Sequence, residues 1–269
     1  MRHSKMTHLM IRRVADLQVW KFVLALTVAF ILTVPLLAAS ASPDATLQQK
    51  IQKKLHDKKY DKVNVEVQDG VATLGGTVDF YGTKLDALKS AGKVDGVHSV
   101  VDHLAVANAN PALTDQQLQQ KLIGGIQMDR IGFGQVFDAI SVQVKDGVAT
   151  LGGHAVDYPS KNSAVSLAQY TPGVQGVIDH IKLDPLSPMD DQIRSAEVNS
   201  IYGYTPLNEY ALSPLRPIRI SVQNGNVTLY GIVNSQMDKE AAGIRANMVR
   251  GVFHVTNDLM VAQTPEQKK

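Results

Sequence analysis

Val67-Gln68-Asp69-Gly70-Val71-Ala72-Thr73-Leu74-Gly75-Gly76 returns almost unchanged as Val144-Lys145-Asp146-Gly147-Val148-Ala149-Thr150-Leu151-Gly152-Gly153. A weaker third copy reads Val222-Gln223-Asn224-Gly225-Asn226-Val227-Thr228-Leu229-Tyr230-Gly231. The turn glycines Gly70, Gly147 and Gly225 lie 77 and 78 residues apart. Self-similarity at a fixed period marks a chain built from repeated units. Val63, Val65 and Val67 alternate with polar residues, the period of a half-buried strand. Asp69-Gly70, Asp146-Gly147 and Asn224-Gly225 are dipeptides that accept the positive φ of a two-residue hairpin turn. A second strand then runs to Gly76, Gly153 or Gly231.

Working outward, Gly96-Val97, Gly173-Val174 and Gly251-Val252 each begin 26 residues after their turn glycine, and a strand-like run follows each. Between hairpin and pair the pattern predicts a helix. In the third copy Ser235 and Asp238 form a capping pair, and Met237, Ala241, Ile244 and Met248 make an apolar stripe. Ahead of the first hairpin, Leu47, Ile51 and Leu55 mark another helix, with counterparts beginning near Gln116 and Gln192. Each copy therefore reads α-β-β-α-β. The class is α+β: three tandem modules, each a small three-stranded mixed sheet covered by two helices, with a right-handed β-α-β crossover. The expected modules are 44–107, 114–184 and a divergent 190–263, joined by linkers at 111–115 and 185–191. So small a module, with no disulfide, buries only a modest core, so the copies are expected to pack on one another.

Residues 1–41 read as an export address. Arg12, Arg13 and Lys21 precede an apolar run over residues 22–39, and Ala39-Ser40-Ala41 offers small residues for cleavage. The run is also long enough for an uncleaved transmembrane anchor. Either form places the body outside the cytoplasm, in a periplasmic setting. The chain has no cysteine, which removes disulfides, thiolate metal sites and a Cys nucleophile. Beyond residue 41 the body carries 22 basic and 24 acidic residues, which lacks the basic footprint of a nucleic-acid binder.

The D-G-V-A-T-L-G-G-x-V hairpin, the helix after it and the G-V-x-x-V-x-D/N-x-L-x-V strand resemble the BON-domain family, which includes periplasmic osmotically inducible proteins. The resemblance runs from about residue 44 to 262. In the third copy Tyr230 replaces the first glycine of the pair, and Asn257-Asp258 stands where the first copy has Asp102-His103. An insertion also lengthens the path from its first helix to its first strand. The resemblance implies a non-catalytic envelope protein that associates with membrane phospholipid or envelope components, linked to osmotic or envelope stress. A scaffold or chaperone-like role toward another envelope protein is the alternative.

Candidate chemistry is sparse. The glycines Gly70, Gly76, Gly96, Gly147, Gly153, Gly173, Gly225, Gly231 and Gly251 are read as backbone corners, since no G-K-[S/T] ending makes a phosphate loop. His56, His98, His103, His154, His180 and His254 form no metal-binding spacing. Ser90-Ala91-Gly92-Lys93 matches S-x-x-K without its companion motifs. No catalytic residue, metal or cofactor is expected. The candidate contacts with lipid or partner are Lys50, Lys53, Lys54 and Lys58, with Lys59, around the first helix. Tyr202, Tyr204 and Tyr210, in the insertion over residues 202–217, are the others; that loop either anchors in a partner or folds over its own sheet. A shorter insertion over residues 131–137 carries Phe133 and Phe137.

Overall fold

A computed structural model describes residues 42–108, 112–129 and 135–262. The export segment, Phe133 and Pro111 at the start of the first linker lie outside the described residues. In module one, α1 (Pro43–Lys54) leads into β1 (Val63–Gln68), β2 (Val71–Val78), α2 (Tyr81–Gly92) and β3 (Ser99–Val106). Module two repeats the order as α3 (Asp115–Met128), β4 (Ala139–Lys145), β5 (Val148–Ala155) and α4 (Tyr158–Gln169), with a third strand broken into β6 (Gly176–Asp179) and β7 (Lys182–Leu183). Module three has α5 (Pro188–Tyr202), a short α6 (Asn208–Leu212), β8 (Arg219–Gln223), β9 (Asn226–Val233), α7 (Gln236–Asn247) and β10 (His254–Val261). α5 begins inside the expected 185–191 linker, because Ser187 caps it by accepting from the Asp190 amide and Pro188 suits its first turn.

Each sheet has its second strand in the centre. β2 pairs antiparallel with β1 and parallel with β3. β5 and β9 do the same in their own modules. The hairpin corners have positive φ at both central residues: 49° and 73° at Asp69-Gly70, 52° and 74° at Asp146-Gly147, 50° and 76° at Asn224-Gly225. That is the turn whose twist matches its flanking strands. All nine expected corner glycines have positive φ. At Gly76, Gly153 and Gly231 a Cβ would lie 2.0 Å from the carbonyl oxygen of Lys62, Ala139 and Pro217, so no other residue fits there.

The sheet is covered differently by the two helices. The first helix sends large side chains inward, Leu47 and Ile51 in α1 and Leu118 and Leu122 in α3. The second helix approaches on small residues: Ala87 and Ala91, Ala164 and Ala168, Ala242 and Ala246 are buried at matching positions. This corrects the reading of α7. Its stripe of Met237, Ile244 and Met248 lies on the outer face, 78%, 62% and 68% exposed. The alanines, whose hydrophobic signal is weak, face the sheet.

The three modules share one unit beginning at Pro43. Modules one and two meet where the Tyr170 ring lies on Gly82 and its hydroxyl donates to Asp86 over 2.8 Å. Modules two and three meet more extensively. Val136, from the short insertion, is buried in the third module's core, and Phe137 packs against it. Among the described residues no helix is long and apolar enough to cross a membrane. The transmembrane expectation is corrected to that extent: no described helix can span a bilayer, and residues 22–39 lie outside the described residues.

Candidate functional site

A carboxylate at the start of each first helix holds the hairpin corner of its own module. Asp44 accepts from the amides of Asp69 (2.8 Å) and Gly70 (3.1 Å). Asp115 accepts from Asp146 (2.7 Å) and Gly147 (2.9 Å), and Asp190 from Asn224 and Gly225, both at 2.9 Å. These donors have no partner in the ladder, and charged acceptors make the stronger hydrogen bonds. The device ties α1, and the basic residues on it, to the sheet. A second device is shared by two modules. Lys84 pairs with Asp102 at 2.8 Å and donates to the Leu104 carbonyl, and Lys161 pairs with Asp179 at 2.9 Å and donates to that of Ile181. In the third module Asn257 donates instead to the Lys239 carbonyl over 2.6 Å. The Asp-to-Asn difference noted in the sequence therefore removes an ion pair.

Lys50, Lys53, Lys54 and Lys58 are all exposed. At 100° per residue the three helical lysines fall within an arc of roughly 100°, beside the buried stripe of Leu47 and Ile51. Among the described residues none of the four forms an ion pair, whereas Lys59 lies 3.6 Å from Asp86 and Lys62 lies 3.7 Å from Asp79. Asp57, a nearby acid that could have balanced them, is instead engaged as a cap, accepting from the Lys59 amide.

The tyrosines divide. Tyr202 is buried, its hydroxyl donating to the Ile218 carbonyl (2.6 Å) and accepting from the Ile218 amide (3.1 Å). Tyr210 is buried, donating to Asp238 (2.9 Å) and accepting from the Asn234 amide (2.7 Å). Desolvation raises both phenols. The 202–217 insertion folds back over its own module because each hydroxyl finds partners there. Tyr202 and Tyr210 are thereby corrected from surface contacts to core residues. Tyr204 stays at the surface with Arg245 over its ring, 5.1 Å from the centroid.

Between modules two and three lies a cleft of about 450 Å³ that the sequence did not announce. Its walls are largely apolar, with Ile123, Ile126 and Ile140 facing Ile232 and Met260. Asp138, Ser160 and Arg219 add polar groups. Burial raises the Asp138 carboxyl, opposed by its bond to the Val156 amide (3.0 Å), and burial lowers the Arg219 guanidinium. Beside this cleft Asp184 is buried among Ser221 Oγ (3.1 Å), Gln223 Nε2 (3.0 Å), His154 Nδ1 (3.2 Å) and Arg194 (3.6 Å). Tyr230, the third copy's replacement for glycine, stacks on His154 with centroids 6.4 Å apart. These groups were hidden from sequence reading because they come from two modules. No group of three or more His, Asp or Glu among the described residues could hold a metal ion.

Three α-β-β-α-β copies with matching corners, carboxylate tethers and helix packing define a tandem-repeat α+β protein. The chain belongs to the BON domain family, whose profile matches residues 43–108, 114–185 and 190–263. It is 29% identical over 131 residues to Osmotically-inducible protein Y of Escherichia coli (strain K12), which covers 45% of this chain and 60% of that protein. It is 26% identical over 142 residues to an uncharacterized protein in the gshII 5′ region of Anaplasma centrale, covering 52% of this chain and 94% of that one. Among solved structures it is similar to CdsD, a structural protein of the type III secretion system of Chlamydia trachomatis. There the identity is 16%, with 81% of this chain and 94% of that one covered, at a TM-score of 0.23.

Proposed function

We propose that this chain is a non-catalytic, exported envelope protein that associates with anionic phospholipid through the basic flank of α1, in a setting of osmotic or envelope stress. The observation that carries the reading is the lysine quartet without an ion pair among the described residues: Lys50, Lys53 and Lys54 on a helix tethered to its sheet through Asp44, and Lys58 just beyond its end. Each lysine near an anionic membrane surface contributes about 1 kcal/mol. Further support comes from the osmotically inducible relative and from the basic, apolar and small-residue order of the first 41 residues. The non-catalytic character rests on family membership and on the lack of cysteine and of grouped metal ligands among the described residues.

Reversing all four lysines to glutamate is expected to lower partition onto phosphatidylglycerol vesicles roughly a thousandfold, about 1 kcal/mol for each lost lysine. Co-sedimentation of the intact chain across a salt series reads this directly. Wild-type binding should fall as salt rises, and binding to neutral vesicles should be weak throughout. Equal binding of the reversed variant to anionic vesicles at low salt would remove α1 as the contact.

A further inference from the structure

Met237 and Ile244 on the outer face of α7, with Met248 at its end and the half-buried Ala241 at the edge, make an exposed apolar stripe that no other module covers. Counted from the turn glycine, Met237, Ala241 and Met248 occupy the positions of Gly82, Asp86 and Tyr170 in the first two modules. Those are among the residues through which modules one and two touch, beside the Phe80 ring on Tyr170 and the Gln175–Asn108 hydrogen bond. Tyr170 at the end of α4 lies over Gly82 at the start of α2, where an added Cβ would come within 2.6 Å of the ring, and it hydrogen-bonds Asp86. The outer face of the second helix is thus a surface that this fold already uses to bind another second helix. α2 and α4 serve each other, and α7, in the odd third module, has none left within the chain.

We propose that α7 pairs antiparallel with α7 of a second copy of this chain. The α2–α4 contact supplies the register. Met248 of one copy lies against Met237 and Ala241 of the other, and reciprocally, which places Ile244 beside the two-fold axis. Such an isologous pairing closes and leaves no free edge. The flanks of the stripe carry Glu240 on one side and Arg245 on the other. That mixed charge suits a protein partner, while a helix that lies on a membrane carries lysine and arginine along its polar face. One helix pair buries less than a standard interface, so the dimer is reversible and depends on concentration.

The chain contains no cysteine, so single substitutions report on proximity without background. In the full-length chain, oxidation of Ile244→Cys should give a disulfide-linked dimer at least tenfold more than Glu66→Cys on the exposed side of β1. Co-expressed Met237→Cys and Met248→Cys chains should cross-link to each other. Ile244→Asp should abolish the concentration-dependent dimer in sedimentation while leaving the melting temperature of dilute, monomeric protein unchanged, since the site is exposed. The proposal is overturned if Ile244→Cys cross-links no better than the control. It is equally overturned if Ile244→Asp leaves the dimer intact, or if the cysteine is shielded by vesicles and not by a second chain.

Discussion

Replacing Glu197 by leucine is expected to stabilise the protein by about 3 kcal/mol at pH 7 and to flatten its loss of stability toward alkaline pH. Counted from the tethering aspartates Asp44, Asp115 and Asp190, Glu197 occupies the place of Ile51 and Leu122, the fully buried core residues of α1 and α3. Its side chain is 0% exposed and neither carboxylate oxygen has a hydrogen-bond partner. Burial pushes the carboxyl from 4.5 up to about 8. The folded state therefore holds a proton that the unfolded chain releases between those two values. Stability from this group is intact below pH 4.5 and declines as pH rises to about 8, reaching a deficit of about 5 kcal/mol beyond it. Leucine fits the matching site of the second module as Leu122, and isoleucine that of the first as Ile51, and neither carries a charge to desolvate. Urea denaturation of both proteins from pH 5 to 8 reads the difference. A variant that keeps the wild-type slope, or that is less stable at pH 8, would show that the acid is not buried unpaired.

The opposite sign is expected at Asp184. Asp184→Ala should cost about 3–5 kcal/mol, the magnitude for removing one member of a buried ion pair. Asp184 ends module two, while Arg194, Ser221 and Gln223 belong to module three, so this carboxylate fastens one module to the next. Without it Arg194 retains Asp191 at 2.6 Å and the Val222 carbonyl at 2.8 Å, but its buried charge loses half of its counter-charge. Asp184→Asn keeps the hydrogen-bonding shape and removes the charge, so it should fall between. Together the two variants separate the electrostatic part from the packing part. A cost below about 1 kcal/mol for the alanine variant, the range of an exposed pair, would mean that the junction is held by apolar contacts alone.

The repeat and its corners were legible because backbone geometry leaves few residues that can turn a corner at positive φ, so Gly70 and its counterparts recur at a fixed period. The carboxylate tethers were harder to find. Asp44, Asp115 and Asp190 stand 26, 32 and 35 residues before their turn glycines, and the insertions that vary this spacing break the pattern. For the same reason Glu197 did not stand out as an acid at a core position. The face of α7 was misread because methionine and isoleucine carry a stronger hydrophobic signal than alanine, while the sheet accepts only small side chains at that contact. Tyr202 and Tyr210 looked like surface aromatics because sequence does not disclose where a hydroxyl finds its partners. The basic flank of α1 was legible from periodicity, but that it forms no ion pair among the described residues needed coordinates.

Family membership and the functional proposal both depend on the chain being one folding unit used three times. Amide hydrogen exchange at Gly70, Gly147 and Gly225 probes that identity, since each amide donates to its own module's aspartate. The three-copy reading predicts slow exchange at all three in the wild type. Asp44→Ala, Asp115→Ala and Asp190→Ala should each release only the amide of the same module. Rapid exchange at these glycines in the wild type, or no response to loss of the matching aspartate, would contradict it.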